Sequence, residues 1–157
     1  MFKIAISGPE STGKTEIARQ LAQYFAGQWI PEFAREYIEK LGRTYTYEDV
    51  CVIAEQQILE QKSFKNDDSP GFIFFDTDLI ITKVWFEYCF AKVPGLLTEQ
   101  LNKNYFDFYL LCYHDLEWIP DPVREHGNDR QFFFDLYKAE IEKTGKPYAI
   151  ITCRGEL

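Results

Sequence analysis

The sequence is poor in the features that several classes of protein require. Among its 157 residues, no apolar run approaches the roughly 18 residues of a membrane-spanning helix. Lysine and arginine number 17 against 25 acidic residues, a formal net charge of −8, so the clustered positive charge that binds nucleic-acid phosphates is lacking. We therefore expect neither a membrane nor a nucleic-acid partner. Because the first residues already have the pattern of a strand, we also expect no cleavable signal peptide of the usual form.

The few cysteines and histidines argue against a structural zinc site. No two cysteines form a C-x-x-C pair, and no histidine lies at zinc-ligand spacing from any of them. Each cysteine lies in an apolar stretch of the chain, and the four are Cys51, Cys89, Cys112 and Cys153. This pattern predicts buried, reduced thiols in a cytoplasmic protein.

The chain does have enough apolar residues for one domain with a substantial core. Hydrophobic residues make up 46% and aromatic residues 17%, which argues against disorder. Strand-like runs alternate with helical patterns, which predicts one α/β domain over residues 1–157, with a parallel sheet of about five strands and helices on both faces. The predicted strands are residues 2–7, 28–30, 72–75, 108–112 and 148–152, and the predicted helices cover residues 14–26, 32–37, 47–65, 79–90, 96–102 and 131–144. Ligands are expected at the carboxyl ends of the strands.

A glycine-rich motif follows the first predicted strand. Residues 8–15 read GPESTGKT and fit the G-x-x-x-x-G-K-[ST] pattern of a phosphate-binding P-loop. The strand before it and the helix after it favour a P-loop over an ordinary glycine-rich turn. Backbone N–H groups would face phosphate oxygens, Lys14 would supply charge for the β- and γ-phosphates, and Thr15 could ligate Mg²⁺. We predict that ATP and Mg²⁺ are bound by Gly8, Glu10, Ser11, Thr12, Gly13, Lys14, Thr15 and Glu16.

The segment after the second predicted strand carries Glu32, Phe33 and Arg35. A carboxylate and a guanidinium three positions apart share one helix face near the mouth of the P-loop, where they could hold the hydroxyls of a small acceptor. Phe33 is a candidate to stack on a planar base. The alternative is a surface ion pair that contributes little energy. The position at a strand end favours the functional interpretation.

Asp76 and Asp78 flank Thr77 directly after a strongly apolar strand. An acidic residue at this position usually holds Mg²⁺, so Asp76 is predicted to be the Walker B carboxylate. Asp78 could contact the acceptor, or it could cap the helix that begins at Leu79. Either Asp76 or Glu32 could orient or accept the proton of an acceptor hydroxyl.

Residues 113–130 form a polar segment that is interrupted by two prolines and is long for a loop in a compact domain. Such loops are often lids. Arg124 and Arg130 could close over the phosphates and stabilise the transferred charge. Trp118 could stack on the planar base of an acceptor. Trp85 could also do so, but its position within a helix favours a core residue. The alternative is a solvated loop whose arginines pair with neighbouring acidic residues.

Four blocks of sequence together resemble one known family. They are GPESTGKT at 8–15, PEFAREY at 31–37, FFDTDLIITKVW at 74–85 and WIPDPVREHGNDR at 118–130. In this order and spacing, the chain resembles the ribosylnicotinamide kinase domain of the NadR family over essentially its whole length. The resemblance implies a P-loop kinase that uses ATP to phosphorylate the 5′-hydroxyl of nicotinamide riboside, giving nicotinamide mononucleotide and ADP.

The resemblance also implies roles for individual residues. The P-loop residues would bind ATP with Mg²⁺, and Asp76 is similar in position to the Walker B carboxylate. Glu32 and Arg35 resemble acceptor-site residues, and Arg124 and Arg130 resemble lid arginines. Two other functions remain possible: a kinase for another nucleoside or small metabolite, and an ATP-sensing module without an acceptor. A guanine-type switch is disfavoured, because the near match to N-K-x-D at 102–105 lacks the aspartate.

The chain departs from the family pattern in three places. NadR proteins usually also carry an adenylyltransferase domain, and some carry a helix-turn-helix, for which this chain has no room. The family tends to continue past the last strand into a final helix, so we expect the chain to be truncated relative to the natural protein. On the lid, Asp121 is a candidate acceptor contact, and it is followed by proline where some relatives have glycine, which would stiffen the lid.

Overall fold

A computed structural model describes residues 1–10, 12–64, 69–115 and 129–152, and its centre is a parallel sheet. The five strands are β1 (Phe2–Ser7), β2 (Gln28–Ile30), β3 (Phe72–Asp76), β4 (Phe108–Cys112) and β5 (Tyr148–Ile151). Their order is β2-β3-β1-β4-β5, and every strand pairing is parallel. The predicted α/β fold with a five-stranded parallel sheet is confirmed, and β1 lies in the middle of it.

Helices connect the strands within the described ranges. They are α1 (Lys14–Tyr24), α2 (Phe33–Leu41), α3 (Tyr47–Ser63), α4 (Leu79–Phe90), α5 (Gly95–Leu101) and α6 (Arg130–Lys143). Most helix ends lie within about two residues of the sequence prediction, the usual uncertainty of a helix end. The larger difference at α2 arises because its apolar positions, Ala34 and Ile38, continue past the predicted end at residue 37.

The end of α1 differs from the prediction for an identifiable reason. The helix was expected to reach residue 26 but ends at Tyr24. Ala26 is in the left-handed region, with φ 50°. A Cβ atom on Gly27 would lie 2.6 Å from the carbonyl oxygen of Phe72. The chain turns early because it must enter β2 in close contact with β3.

Alternation along the strands divides the core between the two faces of the sheet. In β1, Ala5 belongs to the cluster that packs α4 and α6 on one face, with Val84 and Tyr137 among its members. Ile4 and Ile6 point to the opposite face and belong to the cluster that packs α1. Successive side chains of a strand point to opposite faces, so a strand covered on both faces needs an uninterrupted apolar run.

A capping box fixes the start of α3 and joins it to α2. The Thr46 backbone N–H donates to Asp49 Oδ2 at 2.8 Å, and the Asp49 N–H donates to Thr46 Oγ1 at 3.4 Å. Arg43 Nη1 lies 2.7 Å from Asp49 Oδ2, and the Tyr37 hydroxyl donates to Oδ1 at 2.8 Å. The hydrogen bond from Arg43 leads the interactions that hold the pKa of Asp49 well below its ordinary value. This cluster fixes the angle between α2 and α3.

The cysteines are less uniformly buried than the sequence suggested. Cys112 is buried and Cys51 is partly buried, but Cys89 is exposed, so the prediction is wrong at that position. Cys89 lies near the end of α4, where its Sγ is 3.6 Å from the Tyr45 hydroxyl. Cys153 lies outside the described residues. Within those residues, no helix has both the length and the apolar character needed to cross a membrane.

Candidate active site

The P-loop connects β1 to α1 and depends on two glycine conformations. Gly13 caps α1 with φ 81°, in the left-handed region. Gly8 has φ 141°, and a Cβ atom there would lie 2.7 Å from the carbonyl oxygen of Cys112. Thr12 Oγ1 donates to the Pro9 carbonyl oxygen at 2.8 Å. The loop is therefore curled against the end of β4 and braced from within, as a phosphate-binding loop requires.

Lys14 places its charge across this loop. Its Nζ donates to the carbonyl oxygens of Gly8 at 2.9 Å and Pro9 at 2.8 Å. Because the lysine side chain is flexible, Nζ can exchange these two carbonyl oxygens for phosphate oxygens without any movement of the backbone. The predicted phosphate-binding lysine therefore lies at the P-loop in an orientation suited to that role.

Thr15 and Asp76 meet at the carboxyl end of β3. Thr15 Oγ1 donates to Asp76 Oδ2 at 2.6 Å. Asp76 is 3% exposed, and its second oxygen, Oδ1, is enclosed with no hydrogen-bond partner among the described residues. Burial raises the pKa of Asp76, while Thr15 and the charges of Lys14 and Arg35 oppose that rise. Hard oxygen donors beside a lysine fit Mg²⁺, so the residues present suit the predicted ion.

Thr77 and Asp78 complete a sharp turn between β3 and α4. Thr77 has φ 74°, which is rare for a β-branched residue, and its N–H donates to the Ile6 carbonyl oxygen at 3.0 Å. Asp78 Oδ1 accepts from the Ile81 N–H at 3.4 Å, and its Oδ2 is enclosed without a hydrogen-bond partner in the described chain. Burial raises the pKa of Asp78 to about 7. Asp78 therefore caps α4, which was the alternative interpretation. It is not among the described residues that line the adjoining pocket.

A pocket opens directly onto the P-loop, and one end of it is acidic. Lys14 and Glu10 line it from the loop, and Glu32 lines it from the start of α2. The Glu32 side chain is 16% exposed, and Arg35 Nε lies 3.8 Å from its Oε2. The carboxylates of Glu10 and Glu32 therefore face the pocket, and Lys14 lies where the pocket meets the P-loop.

The rest of the pocket wall is largely aromatic. Trp85 lines it from α4, and Tyr45 meets the Trp85 ring edge-on, with the ring centroids 5.1 Å apart. Tyr88 and Tyr137 line the pocket from α4 and α6. Trp85 packs against two core clusters, as predicted, but it also faces the pocket.

Other candidates lie away from the pocket or outside the described residues. Phe33 packs on Tyr37, with ring centroids 5.8 Å apart, and is not among the described residues that line the pocket. Glu16 is on the exposed surface of α1, where it accepts hydrogen bonds from Arg19 and Gln20. Arg130 is the first residue of α6. The candidates that lie outside the described residues, with most of the predicted lid, are Ser11, Trp118, Asp121 and Arg124.

The sequence interpretation overlooked Ile81, Tyr88 and Tyr137 in the pocket wall and favoured the core for Trp85. Ile81, Trp85 and Tyr88 recur at spacings of four and three along α4 and all line the pocket. This helical spacing was a usable signal, because it marks one face of α4 directly after the Asp76 turn. Tyr137 shares its helical stripe with core residues of α6, so periodicity could not distinguish it from them.

Comparison with known proteins agrees with this geometry. A family model described as an AAA domain, AAA_28, matches residues 3–156. The trifunctional NAD biosynthesis/regulator protein NadR of Salmonella typhimurium is 23% identical over 141 residues, which cover 85% of this chain and 34% of that protein. The Escherichia coli protein of the same name is 23% identical over 148 residues, covering 89% of this chain and 35% of its own. The chain thus spans about a third of these relatives, and the resemblance to NadR is confirmed.

Solved structures share the same fold. A crystal structure of NadR protein in complex with NR superposes with a TM-score of 0.70 at 23% identity, covering 99% of this chain and 45% of that one. A deoxyadenosine kinase from M. mycoides superposes with a TM-score of 0.58 at 15% identity, covering 99% and 92%. At these identities the likeness concerns the fold, which is that of the P-loop kinases.

Proposed function

The chain belongs to the AAA domain family AAA_28, and from that premise we propose that it is an ATP-dependent kinase acting on nicotinamide riboside. The reaction moves the γ-phosphoryl group of ATP to the 5′-hydroxyl and gives nicotinamide mononucleotide and ADP. One observation carries the proposal: the pocket beside the P-loop combines two carboxylates with an aromatic wall. Nicotinamide riboside has a planar, cationic ring, for which this combination is suited. The similarity to NadR supports the same acceptor.

On the donor side, the roles follow from the contacts at the P-loop. Lys14 would exchange its two backbone carbonyl partners for oxygens of the β- and γ-phosphates. Thr15 and Asp76 would hold Mg²⁺, which when bound neutralises charge on the phosphates. The burial of Asp76 fixes its orientation, so the carboxylate needs little rearrangement.

On the acceptor side, Glu10 and Glu32 would attract the cationic ring, and Trp85 and Tyr45 would offer aromatic surfaces to it. Glu32 is the better candidate to accept the proton of the 5′-hydroxyl, because it lines the pocket while Asp76 is engaged by Thr15. Arg35 Nε lies 3.8 Å from Glu32 Oε2 and would help to hold that carboxylate at the pocket.

Residues assigned from the sequence alone complete the proposed site. Arg130, at the start of α6, and Arg124 would neutralise charge on the transferred phosphoryl group. Trp118 and Asp121 would contact the acceptor, and Ser11 would contact the nucleotide.

A nucleoside panel tests the proposal. ADP release is measured with nicotinamide riboside, uridine, thymidine and deoxyadenosine as acceptors. We expect kcat/KM for nicotinamide riboside to be higher by about tenfold or more, since a cation on an aromatic face contributes about 1–2 kcal/mol. Equal or faster turnover of another nucleoside would assign a different acceptor. Tight ATP binding with no acceptor turnover would favour a sensing module.

A pair of variants on one helix tests the acidic end of the pocket. Glu32→Gln should lower kcat for nicotinamide riboside by about 100-fold, the usual range for loss of a general base. Glu36→Gln is the matched control, because Glu36 is 64% exposed on α2 and pairs with Lys40 at 2.6 Å. An equal effect of both substitutions would remove Glu32 from the mechanism.

A further inference from the structure

Tyr137 is a buried residue of α6 that lines the same pocket. It is 8% exposed and packs in the core cluster between the sheet, α4 and α6. The ion pair between Lys83 Nζ and Glu140 Oε2, at 2.9 Å, holds α6 against α4 and so fixes the position of Tyr137. Within the described residues, its hydroxyl forms no hydrogen bond. The hydroxyl oxygen is not among the fully enclosed atoms that lack a partner, so it is open to the pocket and can take a ligand as its hydrogen-bond partner.

Other hydroxyls of the pocket have different surroundings. Thr82 Oγ1 donates to Gln57 Oε1 at 2.6 Å, so its proton is already used. The Tyr45 hydroxyl lies 3.6 Å from Cys89 Sγ. Thr77 Oγ1 is enclosed and out of reach of a solute. Tyr88 also lines the pocket, but it is half exposed near the end of α4. Tyr137 is therefore the buried tyrosine of this wall whose hydroxyl can be offered to a bound molecule.

The charges around Tyr137 define what it can bind. Burial, followed by the negative charges of Glu10, Asp78 and Glu32, raises the pKa of Tyr137, so the phenol stays protonated. A protonated phenol offers a hydrogen to an oxygen. The carboxylates of Glu10 and Glu32 line the same pocket and would repel an anionic group, so the matching oxygen belongs to an uncharged group.

We propose that the Tyr137 hydroxyl donates a hydrogen bond to an uncharged oxygen of the acceptor, either a ribose hydroxyl or the ring carboxamide. Tyr137 would thus be a specificity-determining residue that fixes the position of the acceptor relative to the P-loop. The inference rests on the proposed function insofar as the pocket is taken to bind a nucleoside.

Tyr137→Phe tests the inference with minimal change in packing. We expect KM for the acceptor to rise by about five- to tenfold, the usual effect of one uncharged hydrogen bond. KM for ATP and the melting temperature should be unchanged. Tyr148→Phe is the control, because its hydroxyl bonds Glu142 at 2.7 Å on the surface. A residue that only packs the core would leave both KM values unchanged.

Acceptor analogues identify the bonded oxygen and separate this inference from the proposed function. With 2′-deoxy, 3′-deoxy and thioamide analogues of nicotinamide riboside, the penalty of Tyr137→Phe should vanish for the analogue that lacks the bonded oxygen. If the wild-type protein prefers another nucleoside, the proposed acceptor is wrong, and the KM values of the Tyr137→Phe variant and the wild type are then compared with that nucleoside. The inference is overturned if these two KM values are equal for every acceptor used, or if calorimetry detects no nucleoside binding.

Discussion

The Thr15 hydroxyl donates a 2.6 Å hydrogen bond to Asp76, although the two residues are 61 positions apart in the sequence. The parallel pairing of β1 and β3 places Ile6 beside Asp76, so the P-loop and the buried carboxylate emerge at the same edge of the sheet. The contact between Thr15 and Asp76 therefore depends on two neighbouring strands of the sheet.

This pairing predicts a selective effect of Asp76→Asn. We expect kcat to fall by about 100-fold or more, because a fixed charge at the phosphates is lost, while the dissociation constant of the acceptor changes little. The Mg²⁺ concentration required for half-maximal rate should rise. Steady-state kinetics and calorimetry measure these quantities, with Asp135→Asn on the exposed side of α6 as control. Unchanged turnover would exclude Asp76 from the mechanism.

The exposed Cys89 lines the pocket, which predicts a protection pattern. A maleimide added at this thiol would fill part of the pocket and abolish acceptor phosphorylation while leaving ATP binding intact. Saturating nicotinamide riboside should slow the inactivation, and ATP alone should not. Cys89→Ser should retain activity and resist the reagent. Equal inactivation of both proteins would place the sensitive thiol elsewhere.

The raised pKa of Asp78 predicts a pH-dependent stability term. The pKa is about 7 in the folded protein against an ordinary value of 3.8, so the folded state retains a proton that the unfolded state releases. Stability from this group is greatest below the unfolded value and is lost as pH rises towards 7, with a slope of at most about 1.4 kcal/mol per pH unit.

Asp78→Asn isolates that term, because asparagine also caps helices. The stability of the variant relative to wild type should increase from pH 5 to pH 8, as measured by urea unfolding of the protein without nucleotide or metal. Other titrating groups cancel in the difference. The same difference at both pH values would contradict the assignment.

Gly8→Ala should damage both stability and nucleotide binding. A Cβ atom at φ 141° would lie 2.7 Å from the Cys112 carbonyl oxygen, so the loop must shift. We expect a loss of at least about 1 kcal/mol in unfolding free energy and weaker ATP binding. Gly95→Ala is the control, since a Cβ atom there meets no atom within 4 Å. Thermal unfolding and ATP titration report the two effects.

Local patterns in the sequence predicted most of the fold and the position of the P-loop beside Asp76. The apolar strand before Asp76 and the motif around Lys14 are each recognisable from neighbouring residues, and both lie at the carboxyl end of a strand, so they come together at one edge of the sheet. The wall of the adjoining pocket was harder to predict. Tyr45 lies between α2 and α3, and Tyr137 lies on α6. Both line one pocket only because of the way the helices pack on the sheet. Side-chain direction also mattered, because Phe33 turns towards Tyr37 while Glu32 faces the pocket.

The position of Trp85 and Tyr88 on one face of α4 has a practical consequence. Tyr88 is half exposed on this helix and Trp85 also packs in the core, whereas Lys14, Thr15 and Asp76 are positioned by the backbone at the sheet edge. Libraries restricted to the α4 face should therefore yield enzymes that accept differently shaped alcohols while leaving their use of ATP unaltered.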